Sequence, residues 1–95
     1  MHAAFILTTV VIENHEAFAN YRKAVADVNA KLGGQMLVRG TVQDVLEGDA
    51  ETGEVVVAIG FDRAEDARAY IASAEYAALA PLREQAGRFV IRVVT

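Results

Sequence analysis

Apolar residues follow two rhythms along this chain, one typical of strands and one typical of helices. Residues 3–12 (AAFILTTVVI) are rich in β-branched side chains and apolar at odd and even positions alike, which indicates a strand covered on both faces. After Asn14 the apolar residues recur every three or four positions with charged residues between them, which predicts an amphipathic helix up to Leu32. Asn14 is expected to cap the start of this helix, and Gly33 to end it in a left-handed turn.

Residues 35–61 predict a long β-hairpin. Residues 35–47 alternate between apolar and polar side chains, residues 48–53 (GDAETG) form a polar turn segment, and residues 54–61 (EVVVAIGF) return as a strand. The polar row of the first strand consists of Gln35, Arg39, Thr41, Gln43 and Glu47. Its parity shows that these side chains share a face, but leaves open whether that face meets the helices or a partner sheet.

A second helical region and a final strand complete the pattern. Asp62 is expected to cap a helix, Ser73 to cap a short turn that follows it, and Pro81 to lie in the first turn of another short helix. Gly87 ends that helix. Residues 88–94 (RFVIRVV) begin with Arg88 and are then apolar on both parities apart from Arg92, which predicts a last strand.

The resulting order, βαββαβ, predicts one ferredoxin-like α+β domain over residues 1–95. Right-handed crossovers would produce a four-stranded antiparallel sheet with both helical regions on one face. Helices can cover only that face, yet three of the four strands carry large apolar residues on both parities. A soluble monomer rarely exposes so much contiguous apolar surface, so we expect a homodimer joined through the sheet faces. The alternative is a monomer whose hairpin folds over its own sheet.

Composition and charge narrow the function classes. The chain has 95 residues, a net charge of −4 and a pI near 5.0, with its basic residues scattered, which argues against nucleic-acid binding. The absence of cysteine excludes disulfides, thiolate nucleophiles and cysteine-ligated metals. The apolar run at residues 3–12 is too short to span a membrane and lacks the basic start of a signal peptide. We therefore expect a cytoplasmic protein.

Arg39 is the first candidate for a functional site. A guanidinium in the middle of a strand is costly to bury unless an anion or a neutral acceptor meets its donors. One interpretation is a structural ion pair with Glu47, which shares its parity. The other is an anion clamp, since the planar fork of arginine holds a carboxylate or enolate in a fixed orientation.

The remaining candidates are two tyrosines, an arginine and a serine. Tyr21 and Tyr76 are expected to pack their rings in the core while their hydroxyls seek partners. Arg83 lies where the chain turns back toward the last strand and could join Arg39 near a pocket, and Ser73 is most simply a helix cap. Since neither histidine has a partner at ligand spacing, we expect no metal and no haem, and the absence of a glycine-rich phosphate motif gives no support to a nucleotide cofactor.

The segments GGQMLVRG at 33–40, LEG at 46–48 and SAEY at 73–76, followed by the Leu82-Arg83 pair, resemble a bacterial family known as domain of unknown function 1330. The resemblance covers nearly the whole chain. It implies a dimeric α+β barrel of ferredoxin-like protomers, whose biochemical function is not established. It also implies a set of family-type polar residues: Arg39, Glu47, Ser73, Tyr76 and Arg83, with Tyr21 nearby.

Two hypotheses of function follow. In the first, the chain binds or transforms a small anionic or carbonyl-containing metabolite, with Arg39 orienting it, Tyr21 or Tyr76 donating a hydrogen bond, and Glu47 orienting Arg39 or acting as a base. In the second, it is a non-catalytic dimeric domain that serves structure or binds a ligand or partner, with Arg39 and Glu47 as an internal ion pair. Arg39 donors that point into an open cavity would favour the first hypothesis.

Overall fold

The computed structural model describes residues 2–95, which form one antiparallel sheet with helices packed against it. The elements in chain order are β1 (Ala4–Ile12), α1 (His15–Leu32), β2 (Gln35–Thr41), β3 (Val55–Phe61), α2 (Ala64–Ala72), α3 (Ala74–Ala77), α4 (Ala80–Ala86) and β4 (Gly87–Val94). The four strands lie in the order β2-β3-β1-β4, and every neighbouring pair is antiparallel. This order confirms the predicted ferredoxin-like α+β fold.

The sheet has two distinct faces, and the register decides which residue lies on each. Thr8 of β1 lies opposite Val57 and Ile91, and this face, which we call the inner face, packs against the helices. The other face, which we call the outer face, carries the odd-numbered residues of β1 and is covered by no element of the described chain. The larger apolar residues that the register places on it are Phe5, Leu7, Val11, Val38, Val56, Val90 and Val94. The two-faced apolar pattern read from the sequence therefore corresponds to one helix-covered face and one uncovered face.

The helix boundaries agree with the predicted caps in all but one place. Asn14 accepts a hydrogen bond from the Ala17 amide (3.0 Å), and Gly33 ends α1 with a φ of 77°. The expectation that Asp62 caps the second helix is wrong, because α2 begins one residue later and the capping position falls on Arg63, whose side chain makes no capping bond. Arg63 pairs instead with Asp66 one turn along, at 3.0 Å.

Strand β2 departs from the sequence pattern in two ways. It ends at Thr41 instead of running to residue 47, and a β-bulge between Met36 and Val38 interrupts its pairing with β3. The bulge shifts the parity by one residue, so Met36 lies on the same face as Arg39 instead of the opposite one. Beyond the strand, Val42 still exchanges backbone hydrogen bonds with residues 53 and 54, whereas residues 43–50 make none within the described chain.

Candidate functional site

A cavity of about 420 Å³ lies between the inner face and helix α1, and it opens between α1 and the edge strand β2. This volume is within the range of small-molecule sites. Apolar side chains from both layers form most of its wall, among them Ile6, Val10, Phe18, Val25, Met36 and Ile59. We call it the inter-layer cavity. Its position follows from the fold, because β2 makes few contacts with the helices and so leaves space beneath α1.

Arg39 lies on the wall of the inter-layer cavity. The register places it opposite Val57 on the inner face, which answers the question of face that parity left open. Within residues 2–95 its guanidinium makes no side-chain hydrogen bond and no ion pair within 4.0 Å, and the residue is exposed at the cavity opening. Its donors are therefore free to meet a ligand.

The alternative interpretation, a structural ion pair between Arg39 and Glu47, is not realised in the described chain. Glu47 is exposed and lies in the segment that makes no backbone hydrogen bonds after β2 has ended. Shared parity predicts a shared face only while a strand continues, and this strand stops at Thr41. The ion pair between Arg39 and Glu47 would require β2 to continue to residue 47, and it does not.

The charge of the cavity wall is entirely positive. Arg22, which the helical pattern assigned to the polar side of α1, also lines the cavity. Among the residues that line the cavity there is no Asp, Glu, His or Lys. Two guanidinium groups without a carboxylate favour a negatively charged or oxygen-rich guest, in a chain whose net charge is −4.

A cluster of hydroxyl and amide groups lies deeper in the same cavity. The hydroxyls of Tyr21 and Tyr76 are 3.3 Å apart, and the Tyr70 hydroxyl donates to Oδ1 of Asn29. Because the Asn29 carbonyl oxygen is already engaged, its amide nitrogen keeps donors for another partner. In the tyrosine pair only one hydroxyl hydrogen is used between the two oxygens, so one remains to be donated. The cluster therefore offers chiefly donors to a guest molecule.

Tyr21 and Tyr70 stay protonated at neutral pH, because the pKa of each is raised. Burial raises the pKa of Tyr21, and the nearby Tyr76 hydroxyl raises it further. Burial and the same neighbour also raise the pKa of Tyr70. Neither residue can act as a phenolate base near pH 7, so both serve as neutral hydrogen-bond donors or acceptors.

Ser73 and Arg83 touch the site through Tyr70 and Tyr76, and the Ser73 hydroxyl donates to the Tyr70 carbonyl oxygen at 2.7 Å. Ser73 accepts a hydrogen bond from the Tyr76 amide (3.1 Å), which confirms its predicted capping role. The Arg83 guanidinium lies 4.5 Å from the centre of the Tyr76 ring and donates to the Tyr76 carbonyl oxygen (3.3 Å). Together they fix the backbone and ring of Tyr76. Of the six predicted site residues, the cavity brings together Arg39, Tyr21 and Tyr76, while Glu47 lies apart.

Four polar residues of the cavity lining were not among the candidate site residues: Thr8, Arg22, Asn29 and Tyr70. Asn29 lies four residues after Val25 and eight after Tyr21, so it interrupts the apolar stripe of α1 with a buried amide. A polar residue within an apolar helical stripe is therefore a sequence signal that could have identified Asn29 as a candidate site residue. For Arg22 the sequence carries no comparable signal, because its position on the helix is next to the stripe rather than within it.

The raised tyrosine pKa values predict a loss of stability at alkaline pH. Both groups are neutral in the folded state, whereas in the unfolded chain they ionise near their ordinary value of 10.0. Above that pH the unfolded state is favoured by about 1.4 kcal/mol per pH unit for each tyrosine, and below it the effect vanishes. Urea titrations at pH 8 to 11.5 should show this decline, and Tyr70→Phe should reduce its slope by about half. A slope identical in both proteins would contradict the assignment.

Metal and membrane sites find no support in the part of the chain that the structure describes. Residues 2–95 contain no group of three or more His, Cys, Asp or Glu side chains placed to hold a metal ion. None of the helices in that range is both long and apolar enough to cross a membrane.

Comparison with known proteins finds one family model and several solved structures with a similar fold. The model of the family described as "Domain of unknown function (DUF1330)" matches residues 3–95, and no curated protein matches the chain. A protein of unknown function from Rhodopseudomonas palustris is 18% identical with a TM-score of 0.72, and the match covers 99% of this chain and 82% of that one. A dimeric protein of unknown function and ferredoxin-like fold from Bacteroides fragilis is 11% identical with a TM-score of 0.65, covering 96% and 93%. SnoaB, a cofactor-independent oxygenase from Streptomyces nogalater, is 10% identical with a TM-score of 0.64, covering 100% and 93%.

Proposed function

The chain belongs to the DUF1330 family, and from this premise we propose that it binds a small anionic or carbonyl-containing metabolite in the inter-layer cavity. The observation that carries the proposal is the unpaired guanidinium of Arg39 on the wall of a cavity whose lining includes no carboxylate. A planar guanidinium can hold a carboxylate through two parallel hydrogen bonds, which fixes the orientation of the guest as well as binding it.

The rest of the cavity defines the guest further. At roughly 30 Å³ per non-hydrogen atom, the volume of a water molecule in the liquid, 420 Å³ has room for about 14 such atoms. The apolar wall suits a hydrocarbon or aromatic body, and the amide of Asn29 and the Tyr21–Tyr76 pair can donate to oxygens at its inner end. A molecule with an acidic group at one end and a carbonyl or phenol at the other fits this arrangement.

The lining supports binding and charge stabilisation rather than proton abstraction. The described residues of the cavity wall include no carboxylate or imidazole, and the raised pKa values of Tyr21 and Tyr70 prevent these two residues from acting as bases near neutral pH. Fixed donors around an oxygen do stabilise negative charge on it, as in an enolate. The hypothesis of Glu47 as a base finds no support in the single chain, since Glu47 does not line the cavity.

The competing hypothesis, a purely structural polar row, has less support. It requires the donors of Arg39 to be satisfied inside the protein, and no side-chain partner within residues 2–95 satisfies them. Arg39 donors that are free at a cavity wall favour ligand binding over a structural role.

A thermal-shift screen of small aromatic and aliphatic carboxylates tests the proposal. We expect at least one compound at millimolar concentration to raise the Tm of the wild-type protein, and we expect Arg39→Ala to lose that shift, because removing a charge-assisted bidentate contact costs about 1.5–3 kcal/mol of binding. Arg63→Ala is the matched control, since Arg63 is an exposed arginine outside the cavity. A shift that survives Arg39→Ala, or the absence of any shift across the screen, would count against the proposal.

For the assembly, we propose a homodimer joined through the outer faces of two sheets. The support is the uncovered apolar surface of the outer face, where Val38 is 54% and Val90 50% exposed, together with the dimeric ferredoxin-like protein from Bacteroides fragilis. Burying such side chains contributes about 1.5–3 kcal/mol each. Two sheets of four strands packed in this way would form the α+β barrel that the family resemblance implies.

A further inference from the structure

Strand β4 forms one edge of the sheet and pairs only with β1, so the backbone groups along its other side have no strand partner in the described chain. A groove of about 530 Å³ runs beside this edge. Its apolar floor includes Ile71, Ile91 and Val93, and three arginines line it: Arg68, Arg83 and Arg92. A free edge of this kind is a template for an added strand.

These three arginines lack carboxylate partners. Among residues 2–95, Arg63 and Arg88 are the arginines that form ion pairs within 4.0 Å. Arg83 contacts Tyr76, and Arg92 donates to the Thr9 hydroxyl at 3.4 Å. Arg68 and Arg83 lie on the groove side of this edge and Arg92 on its outer-face side, and no acidic residue lines the groove, so the edge is a local excess of positive charge in a chain with 13 acidic and 9 basic residues.

The complementary feature is the segment 43–48 (QDVLEG), which we call the acidic segment. Residues 43–54 contain five carboxylates and no basic residue, and one of the five, Glu51, is bound by Arg88 of the same chain at 3.1 Å. Within the acidic segment itself, Asp44 and Glu47 have no ion pair, Leu46 is 95% exposed, and the backbone makes no hydrogen bonds within the described chain. An exposed leucine between unpaired carboxylates and unpaired backbone groups marks a surface that another chain can cover.

We propose that the acidic segment of one copy adds as a strand to the free edge of β4 in a second copy. The side chains of the acidic segment alternate in a way that matches the alternation along β4. In an extended segment Asp44 and Leu46 share one side and Val45 and Glu47 the other. On β4, Ile91 and Val93 lie on the side of the groove, whereas Val90 and Arg92 lie on the outer face. Leu46 then covers the apolar floor with Asp44 near Arg68, and Glu47 meets Arg92.

The same chain cannot supply this strand. The acidic segment leaves the sheet at Val42, beside β2 and β3, and β4 lies at the opposite edge. A strand beyond β4 lies four inter-strand spacings from β2, which is about 19 Å at roughly 4.8 Å each, and five extended residues span only about 17 Å. No residues of the acidic segment would then remain to pair with β4. A second copy, with its own β2 edge brought beside this β4, meets no such limit.

This inference rests on the homodimer proposed above, and the absence of cysteine from the chain allows a direct test. A tagged Glu47→Cys chain is mixed under mild oxidation in turn with Val90→Cys, Arg92→Cys and Val94→Cys chains, which share one face of β4 and so cover a shift of register. We expect a mixed disulfide with Arg92→Cys at least tenfold faster than with the control Asp27→Cys, which lies on the exposed side of α1. A disulfide forms readily only when the two Cα atoms are within about 7 Å.

The outcomes separate this inference from the proposed dimer. Rates no higher than the control for all three positions, in proteins that light scattering shows to be dimeric, would overturn the strand exchange and leave the dimer standing. A monomeric wild-type protein would overturn both. A charge exchange gives an independent readout: Glu47→Arg and Arg92→Glu should each raise the dimer Kd about tenfold, and the double variant should recover most of the affinity. Additive losses in the double variant would contradict the contact between Glu47 and Arg92.

Discussion

Val90→Asp is expected to separate the proposed homodimer into monomers. Val90 is half exposed on the outer face of a single chain, so aspartate there disturbs the folded protomer little. In a face-to-face dimer the same position is buried, and two-fold symmetry places the new carboxylate in the interface twice. Burying charges without partners, together with the lost apolar contacts, costs on the order of 3–6 kcal/mol, which corresponds to a rise in Kd of roughly 100-fold to 20,000-fold.

Analytical ultracentrifugation of this variant measures the effect. Ala19→Asp adds the same charge on the exposed side of α1 and should leave the dimer intact. If Val90→Asp remains as dimeric as the Ala19→Asp control at micromolar concentration, the outer face is not the interface. A circular dichroism spectrum like that of the wild type would show that the variant has lost association rather than its fold.

Gly87→Ala is expected to destabilise the fold severely. Gly87 connects α4 to β4 with a φ of 158°, and a Cβ atom at this position would lie 2.1 Å from the Val11 carbonyl oxygen. The contact is with backbone of β1, which cannot rotate away, and amides of residues 13 and 14 fix the same junction by donating to the Ala86 carbonyl oxygen. Overpacking and backbone strain together should lower the free energy of unfolding by about 2–4 kcal/mol.

Urea denaturation of Gly87→Ala and Gly33→Ala separates the clash from the backbone preference. Gly33 also has a positive φ, at 77°, but a Cβ atom there meets nothing within 4 Å. Gly33→Ala should therefore cost only about 1–2 kcal/mol, the conformational part. Equal losses in the two variants would mean that the β1–α4 junction relaxes around the new methyl group.

Local chemistry made most of the fold predictable. The apolar stripe of α1, the cap at Asn14 and the left-handed glycine at 33 are local signals, and all three were confirmed. The strand order followed from the general handedness of crossovers rather than from any single residue. The capping residue of α2 could not be fixed in the same way, because Asp62 and Arg63 both lie between a buried strand and an amphipathic helix, and packing decides where the first turn starts.

The bulge in β2 could not be predicted from the alternation of apolar and polar residues. Nothing in residues 35–38 (QMLV) distinguishes a regular strand from one with an inserted residue, since apolar side chains suit either face. A single bulge moved Met36 to the face of Arg39, and the end of the strand at Thr41 removed the basis for assigning Glu47 to that face. Arg39 itself was identifiable, because a guanidinium in mid-strand requires a partner. Its position on the wall of the inter-layer cavity, without a side-chain partner in the described chain, depends on tertiary packing and could not be predicted.

Methyl NMR shows most directly whether the inter-layer cavity holds the ligand. With a carboxylate found in the thermal-shift screen, ¹³C-methyl spectra of the wild-type protein should show saturable shifts at the cavity residues Ile6, Val57 and Ile59, and Arg39→Ala should abolish them at the same concentration. Val56 and Val94 of the outer face serve as internal controls. Shifts confined to those outer-face methyls, or cavity shifts that persist unchanged in Arg39→Ala, would contradict the proposed site.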